Sequence, residues 1–313
     1  MEKYEELFRL FGEYSSKNGG LTVLRSEPMR DHTTFKIGGA AELFVIPENI
    51  SALSFAVGEA KKAGCPVTVL GKGSNVLFDD EGYCGVVLSM LSLSGVSRRG
   101  NKITFGAGCS FTEASRAAQR VGLSGLSFAY GIPGTVGGAV FMNAGAYGGE
   151  VSAVLENSRY LDTVTGKVET LSLEEHSFGY RHSSYRDFRD RIILDATFSL
   201  EPGDGDEIKA EMEDFMSRRR EKQPLEYPSA GSTFKRAPGR FTAKMIDDCG
   251  LKGASVGGAQ VSEKHAGFVI NKNGATSADV KSLIELIKKT VLEKEGVEIE
   301  CEVITVGRGE SLD

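Results

Sequence analysis

A glycine-rich stretch, residues 128–150, constrains the fold of this chain more than any other part of the sequence. Seven of the 23 residues in FAYGIPGTVGGAVFMNAGAYGGE are glycine, and the only charged residue is Glu150 at its end. Because a fixed glycine costs backbone entropy, glycines cluster where the chain adopts positive φ or passes close to another group. The stretch also lacks the polar residues of a flexible linker. Two interpretations stay open here: a wall against a large flat ligand, or a tight buried turn between packed strands.

The composition is that of a folded globular protein and argues against several classes of function. A hydrophobic content of 40% and a charged content of 26% are ordinary for such a protein. The length of 313 residues suits two domains, or one large domain plus a lobe. A net charge of −6 without a basic tract argues against a nucleic-acid partner. No apolar run approaches the roughly 20 residues that span a bilayer, and the first residues lack a signal-peptide pattern. Five dispersed cysteines without a CxxC pair favour reduced thiols in the cytoplasm over disulfides or a metal site.

A second glycine loop directly follows a predicted strand. The strand PVTVL (66–70) leads into GKGSNVLFDD (71–80). Successive backbone N–H groups, assisted by serine and asparagine side chains, predict a phosphate cradle at this loop. The pattern is neither a Walker A loop nor the glycine fingerprint that opens a helix, so alone it is a weak signal. The loop becomes informative because a second stretch, richer in glycine, follows further along the chain.

The last third of the chain predicts a separate α+β unit. Pro224 ends a charged helix predicted over residues 204–220, and we place the domain boundary there. Thr276 and Asp279 predict a capping box that opens a helix. The final strand is predicted over residues 297–306, with Glu298, Glu300 and Glu302 sharing one face. From alternation alone, these three glutamates form a solvated acidic face.

Six motifs in order resemble those of the UDP-N-acetylenolpyruvoylglucosamine reductase family, flavoenzymes that make UDP-N-acetylmuramate for bacterial peptidoglycan. Together with HTTFKIGG from residue 32, they cover nearly the whole chain. They are GKGSNVLF from residue 71, GIPGTVGGAVFMNAGAYG from 131, FGYRHS from 178, RRREKQPLEYPSAGSTFK from 218, LKGASVGGAQVSEKHAGFVIN from 251 and IECEVITVG from 299.

This resemblance implies an α+β fold with two parts. Residues 1–220 would form an FAD-binding region of the vanillyl-alcohol oxidase/p-cresol methylhydroxylase type, with subdomains at about 20–90 and 91–205. Residues 221–313 would form a C-terminal α+β substrate domain. The short spacing between FGYR and SAGS resembles the compact subtype of the family, which lacks an inserted substrate-capping segment.

The resemblance also implies the chemistry and three catalytic residues. NADPH reduces FAD, and the flavin then gives hydride to the enol ether of enolpyruvyl-UDP-N-acetylglucosamine. Ser232, in AGS, would protonate the neighbouring carbon as general acid. Arg181, in GYR, would hold the substrate carboxylate. Glu302, in CEV, would polarise or protonate that carboxylate, which requires a pKa raised by burial. This implication reverses the solvated interpretation for Glu302, while Glu298 and Glu300 can stay in solvent.

Two sets of binding residues follow from the same resemblance, and neither includes a metal ligand. One departure is Arg236, which stands where some members carry an asparagine four residues after the serine and affects the expected uridine diphosphate contacts. For the sugar nucleotide, the expected residues are Arg218, Lys222, Lys252 and His265. For FAD, they are Gly71, Lys72, Gly73, Ser74 and Asn75 at the pyrophosphate, and Gly131, Gly134, Gly137, Gly138, Asn143 and Gly145 along the ribityl chain and ring.

Three other interpretations stay open from the sequence. An FAD oxidase of the same superfamily would pass electrons to oxygen, but it would not need a serine acid placed between an arginine and a glutamate from distant segments. A flavin or sugar-nucleotide binding module without catalysis would not need all three of these residues. A scaffold with buried glycine turns would contain no flavin.

Overall fold

The computed structural model describes residues 2–309, and the chain divides into two compact units that are each discontinuous in sequence. Unit 1 consists of the N-terminal segment up to Arg25, Leu43–Lys72 and Val86–Arg219. Unit 2 consists of Ser26–Glu42, Gly73–Gly85 and the chain from Arg220 onward. Unit 2 therefore joins two earlier segments of the chain to its C-terminal part. The sequence instead predicts two continuous domains, residues 1–220 and 221–313, and these domain bounds stay a prediction.

The described residues form seven α-helices. None of them is long and apolar enough to cross a membrane. The capping box predicted from Thr276 and Asp279 is confirmed, since both of its hydrogen bonds are present, and the helix that it opens ends at Gly296 with φ 65°. The helices are α1 (Glu2–Asn18), α2 (Ile50–Lys62), α3 (Phe111–Arg120), α4 (Val136–Phe141), α5 (Gly205–Lys222), α6 (Thr242–Asp248) and α7 (Ser277–Glu295).

The strands of the first half of the chain belong mainly to two sheets. These strands are β1 (Leu21–Pro28), β2 (Ala40–Pro47), β3 (Val67–Leu70), β4 (Val76–Phe78), β5 (Tyr83–Ser89), β6 (Val96–Arg99), β7 (Lys102–Gly106), β8 (Leu123–Ser124), β9 (Gly145–Ala146) and β10 (Gly149–Glu150). A four-stranded sheet has the order β1-β2-β5-β3, and the unit boundaries fall within β1, β2 and β5.

A five-stranded antiparallel sheet lies wholly in unit 1, and a three-stranded antiparallel sheet lies in unit 2. The strands of the second half of the chain are β11 (Leu155–Asp162), β12 (Val168–Ser172), β13 (Arg191–Ser199), β14 (Glu201–Pro202), β15 (Ser255–Val256), β16 (Ala259–Val261), β17 (Val269–Asn271) and β18 (Ile304–Val306). The strand order is β12-β11-β13-β7-β6 in the five-stranded sheet and β15-β16-β17 in the three-stranded sheet.

Each unit has a hydrophobic core of its own. In unit 1 the core includes Phe105, Phe111 and Phe198, and the ring of Phe111 meets that of Phe128 edge-on at 5.8 Å, which anchors the start of the glycine stretch. In unit 2 the inner stripe of α7 is buried as its spacing predicts. Burying one large apolar side chain contributes about 1.5–3 kcal/mol, so both units contain enough core to hold their loops in place.

The last strand is shorter than its sequence predicts. Of residues 297–306, only β18 forms a ladder, in parallel with β4. The preceding residues make a single isolated bridge, Phe234 with Cys301, through the backbone bonds of Lys235 to Glu300 and of Glu302 to Thr233. The segment still keeps its alternation, with Ile299 and Val303 buried and Glu298 and Glu300 exposed. The prediction of a continuous strand is therefore wrong, but the assignment of its two faces holds.

Candidate functional site

Protein packing accounts for several glycines of the 128–150 stretch in unit 1. A Cβ added at Gly137 would lie 2.9 Å from the Cβ of Ala107, and one at Gly131 would lie 2.9 Å from Cε of Met216. A Cβ at Gly145 would lie 2.7 Å from the carbonyl oxygen of Gly149. Gly134 accepts a backbone hydrogen bond from Phe111. At Gly137 and Gly145 the buried-turn interpretation is sufficient, and at Gly131 a φ of 86° itself favours glycine.

Gly138 differs from its neighbours because the protein does not fill the space above it. The residue is exposed, and the nearest atom to an added Cβ would be Oγ1 of Thr135 at 3.6 Å. Thr135 caps α4 by accepting a hydrogen bond from the Gly138 amide. The first turn of α4 therefore presents bare backbone to its surroundings, which fits a flat ligand lying against it.

The contrast between Gly137 and Gly138 leads to a stability prediction. Gly137→Ala should destabilise the flavin-free protein by about 1–3 kcal/mol because its methyl group overpacks against Ala107. Gly138→Ala should be neutral or stabilise by up to about 1 kcal/mol, since alanine is the better helix former. Urea unfolding of both variants checks the difference. Equal losses at the two positions would contradict the packing described here.

The GKGSN loop keeps its backbone amides available. A Cβ at Gly73, whose φ is 59°, would lie 2.3 Å from the carbonyl oxygen of His32, so only glycine fits there. Within residues 2–309, the amides of Lys72, Gly73 and Ser74 donate to no other backbone group. Nζ of Lys72 donates to Oγ of Ser110 at 2.8 Å. Successive unpaired amides of this kind suit a phosphate group.

Arg181 lies in a tight turn of unit 1 that touches the glycine stretch. The backbone groups of Gly179 and His182 exchange two hydrogen bonds, of 3.1 and 3.2 Å. Arg181 has φ 55° at the third position of this turn, as type II geometry requires. Its Nη2 donates to the carbonyl oxygen of Gly145 at 3.3 Å, and its guanidinium lies over the ring of Tyr180. The structure thus places Arg181 beside a predicted FAD-binding segment.

The side chain of Asn143 is directed into the protein. Asn143 is 2% exposed, and its Nδ2 donates to the carbonyl oxygen of Gly179 at 3.1 Å. Its Oδ1 accepts a hydrogen bond from the amide of Ser152 at 3.0 Å. Both ends of the side-chain amide therefore contact protein groups, and the flavin contact expected of Asn143 stays a prediction.

A buried histidine precedes the Arg181 turn. His176 is fully buried, and its Nδ1–H donates to the carbonyl oxygen of Ser172 at 2.6 Å. In a neutral imidazole with its proton on Nδ1, Nε2 accepts the hydroxyl hydrogen of Ser158 at 2.8 Å, and Ser158 accepts one from Tyr185 at 2.6 Å. A neutral imidazole thus satisfies this chain of hydrogen bonds. Burial accordingly lowers the pKa of His176 from its ordinary value of 6.5.

The lowered pKa of His176 predicts acid sensitivity. Because the unfolded chain protonates this histidine at a higher pH than the folded protein does, the free energy of unfolding should fall as the pH drops through 6.5. The His176 contribution is fully present above that pH. Urea unfolding across a pH series should show a shallower acid slope for His176→Gln than for the wild type. Parallel slopes in the two proteins would contradict this assignment.

Arg219, a buried arginine of unit 1, is not among the site residues expected from the sequence. Arg219 is only 7% exposed, close to Gly131 and with its guanidinium over the ring of Tyr147. Burial lowers the pKa of Arg219. The inner stripe of α5, which includes Ile208 and Met212, reaches Arg219 if the helical period is continued, and that signal could have found it. Arg218, which the sequence favoured, is exposed and pairs with Asp214 at 2.6 Å.

Unit 2 brings the Ser232, Glu302 and Asn75 segments together. The amide of Glu302 donates to the carbonyl oxygen of Thr233 at 2.8 Å, next to the exposed Ser232. Nδ2 of Asn75 donates to the carbonyl oxygen of Glu302 at 3.1 Å. Thr233 itself is 1% exposed, so it fixes the backbone beside the serine. Two predicted catalytic residues and one predicted FAD-binding residue therefore share one neighbourhood.

Glu300 and Glu302 differ in their surroundings. Glu300 pairs with Lys235 at 2.8 Å, and its side chain is 75% exposed. The hydrogen bond from Lys235 lowers the pKa of Glu300, which keeps this carboxylate ionised. Glu302 is half-buried. The two glutamates thus differ in exposure, and the catalytic role of Glu302 stays a prediction.

Three of the expected sugar-nucleotide residues, Lys222, Lys252 and His265, lie in unit 2. Lys252 pairs with Asp247 at 2.6 Å, and Lys222 is exposed at the end of α5. Nδ1 of His265 accepts a hydrogen bond from the amide of Gly267, which places its proton on Nε2. Burial lowers the pKa of His265, so the ring is a neutral donor. Their roles towards a ligand stay predictions.

Two observations concern other possible sites. An open depression of about 560 Å³ in unit 1 lies beside α2 and β12, and none of the predicted site residues lines it. No group of three or more histidine, cysteine or acidic side chains within residues 2–309 could hold a metal ion.

Known proteins resemble the chain along nearly its whole length. A family model described as FAD binding domain matches residues 41–173, and one for the C-terminal domain of UDP-N-acetylenolpyruvoylglucosamine reductase matches residues 223–306. These matches confirm the predicted two-part α+β fold and the FAD cofactor.

Full-length comparisons agree with the family models. The reductase of Geobacillus kaustophilus is 47% identical over 98% of this chain and 99% of its own, and that of Clostridium botulinum is 44% identical with the same coverage. The crystal structure of the Thermus caldophilus reductase matches with a TM-score of 0.78 and 32% identity, over 91% of this chain and 98% of that one. The chain therefore belongs to the UDP-N-acetylenolpyruvoylglucosamine reductase family.

Proposed function

We propose that the chain catalyses the NADPH-dependent reduction of enolpyruvyl-UDP-N-acetylglucosamine to UDP-N-acetylmuramate, with FAD as cofactor, in peptidoglycan precursor synthesis. The observation that carries this proposal is the hydrogen bond from the Glu302 amide to Thr233, which brings a candidate carboxyl group to the segment of a candidate serine acid. Relatives that bear the reductase name and match along 98% of the chain support the same activity. A cytoplasmic location is part of the proposal.

The residues of the chain suit FAD in two places. The amides of Lys72, Gly73 and Ser74 would bind the pyrophosphate, and the open backbone at Gly138 would lie along the flavin. Bound FAD would supply the redox chemistry, taking hydride from NADPH and delivering it to the substrate alkene. The chain's own residues have to bind the substrate and move the proton.

Three side chains of the chain carry the remaining chemistry. Arg181 would hold the substrate carboxylate through charge-assisted hydrogen bonds. Ser232 would donate its hydroxyl proton to the substrate carbon that becomes basic when the alkene is reduced, because a serine is an effective acid only towards a strong base. Glu302 would neutralise the charge that develops on the carboxylate. The exposed hydroxyl of Ser232, on a backbone fixed by Thr233, suits this transfer.

An anaerobic titration separates this function from its rivals. The purified protein should carry a flavin absorption spectrum, and NADPH should bleach it. Enolpyruvyl-UDP-N-acetylglucosamine should then restore the spectrum faster than oxygen does. Recovery with oxygen alone would indicate an oxidase, bleaching without recovery by the sugar nucleotide would indicate a binding module, and a colourless protein that does not bind FAD would leave only a scaffold.

A further inference from the structure

We propose that Asn143, Ser183 and Arg186 are positioning residues that hold the Arg181 turn, residues Gly179–His182, against the end of α4. This inference rests on the proposed function, in which Arg181 binds the substrate carboxylate. It assigns to Asn143 a role different from the flavin contact that the resemblance implies, and it gives Arg186 and Ser183 a role that the sequence does not indicate.

The Arg181 turn needs external support. A residue other than glycine with φ 55° is uncommon, and such a conformation costs about 1–3 kcal/mol, so it persists only where the surroundings enforce it. Type II turns usually have glycine or asparagine at this position. An arginine there carries strain together with a long side chain that has to be aimed. The two backbone bonds of the turn fix its shape but not its place on the protein.

Asn143 and Ser183 attach the turn to the C-terminal end of α4. Nδ2 of Asn143 donates to the carbonyl oxygen of Gly179, which also accepts the amide of His182, so both lone pairs of that oxygen are used. Oγ of Ser183, which is fully buried, donates to the carbonyl oxygen of Phe141 at 2.8 Å. Residues on both sides of Arg181 are thereby joined to the residues that end α4.

Arg186 acts on the backbone of Arg181 itself. Its Nη1 donates to the carbonyl oxygen of Arg181 at 3.1 Å, and its guanidinium lies over the ring of Phe141 at 5.8 Å. The bond is charge-assisted and is made to the residue whose φ is positive. Together the three side chains determine where the guanidinium of Arg181 points.

Asn143 has a second feature that fits this role. Its own φ is 42°, a left-handed conformation that asparagine tolerates better than most residues. In this conformation Nδ2 reaches the carbonyl oxygen of Gly179, while Oδ1 is fixed by the amide of Ser152. The amide is thus oriented at both ends, as a support for a catalytic turn requires.

The test uses Asn143→Asp in the FAD-loaded protein. Aspartate keeps the size and the left-handed tolerance of asparagine but loses the Nδ2–H donor and opposes the Gly179 carbonyl. Reoxidation of the reduced flavin by enolpyruvyl-UDP-N-acetylglucosamine should slow by about 10–100-fold, because a misplacement of about 1 Å can cost that much. FAD affinity and flavin reduction by NADPH should match the wild type. Asn101→Asp, on an exposed turn of the same unit, is the matched control.

Two further measurements separate positioning from a general loss of structure. In an Arg181→Ala background, Asn143→Asp should cause no additional slowing, because residues that act through one another are not additive. Hydrogen exchange at the amides of Gly179 and His182 should be faster in Asn143→Asp. If that variant does not fold, Ser183→Ala tests the same proposal with the same measurements.

The outcomes are distinguishable from those for the proposed function. Weaker FAD binding with an unchanged second half-reaction would overturn the proposal and make Asn143 a flavin contact. Losses that add to that of Arg181→Ala, or unchanged exchange in the turn, would also overturn it. A wild-type protein that never reduces the sugar nucleotide would reject the proposed function, while the exchange experiment would still decide whether Asn143 holds the turn.

Discussion

Ser232→Ala is expected to slow the reduction of enolpyruvyl-UDP-N-acetylglucosamine by about 10²–10⁴-fold, the usual effect of removing a general acid. Flavin reduction by NADPH should stay nearly unchanged, because that step needs no proton from the serine. The substitution removes one exposed hydroxyl, and the buried Thr233 keeps the backbone in place through its bonds to Gly267 and Glu302. Anaerobic stopped-flow measurements of the two half-reactions separate these effects.

Ser229→Ala is the matched control for this prediction. It removes a hydroxyl from the same segment, three residues earlier, while the contact of Ser229 with Thr34 is made by its backbone carbonyl and is retained. Both half-reactions should therefore keep wild-type rates in the control. Equal slowing of both half-reactions in Ser232→Ala, or no slowing of the second, would remove Ser232 from the acid role.

The predictions that were confirmed are those based on the order of the motifs and on residues close together in the sequence. The ordered motifs led to the family, the two-part fold and FAD, and the capping box at Thr276 could be predicted because its residues are close in sequence. Contacts between distant residues could not be predicted in this way. Asn143 and Gly179 are 36 residues apart, and nothing in an asparagine indicates which carbonyl it will meet.

The sequence also does not predict how two neighbouring glycines differ in their surroundings. Gly137 and Gly138 are adjacent and identical in type, yet one packs against Ala107 and the other is open. A sequence predicts that glycine is needed, but the reason depends on which backbone lies above it. The helical period did contain one unused signal, since the stripe of α5 continues to the buried Arg219. A charged residue on an apolar helical stripe is therefore predicted to be buried, as its apolar neighbours are.

Glu302→Gln is expected to slow the second half-reaction by about 10²-fold or more while sparing flavin reduction by NADPH, because the amide cannot give a proton to the substrate carboxylate. The side chain is half-buried, and its backbone is fixed on both sides by bonds to Thr233 and Asn75. The substitution should therefore change chemistry more than structure. Stopped-flow rates, with FAD affinity measured in parallel, test this expectation.

Glu300→Gln provides the control because it makes the same change two residues away. Glu300 and Glu302 cannot be told apart by alternation, since both lie on the same face of the segment; they differ in exposure, since Glu302 is half-buried whereas the side chain of Glu300, which pairs with Lys235, is 75% exposed. An exposed ion pair of this kind contributes about 0–1 kcal/mol, so its loss should leave both half-reactions intact. If Glu300→Gln slowed the second half-reaction and Glu302→Gln did not, the carboxylate role would pass to Glu300, and its bond to Lys235 would then have to open during turnover.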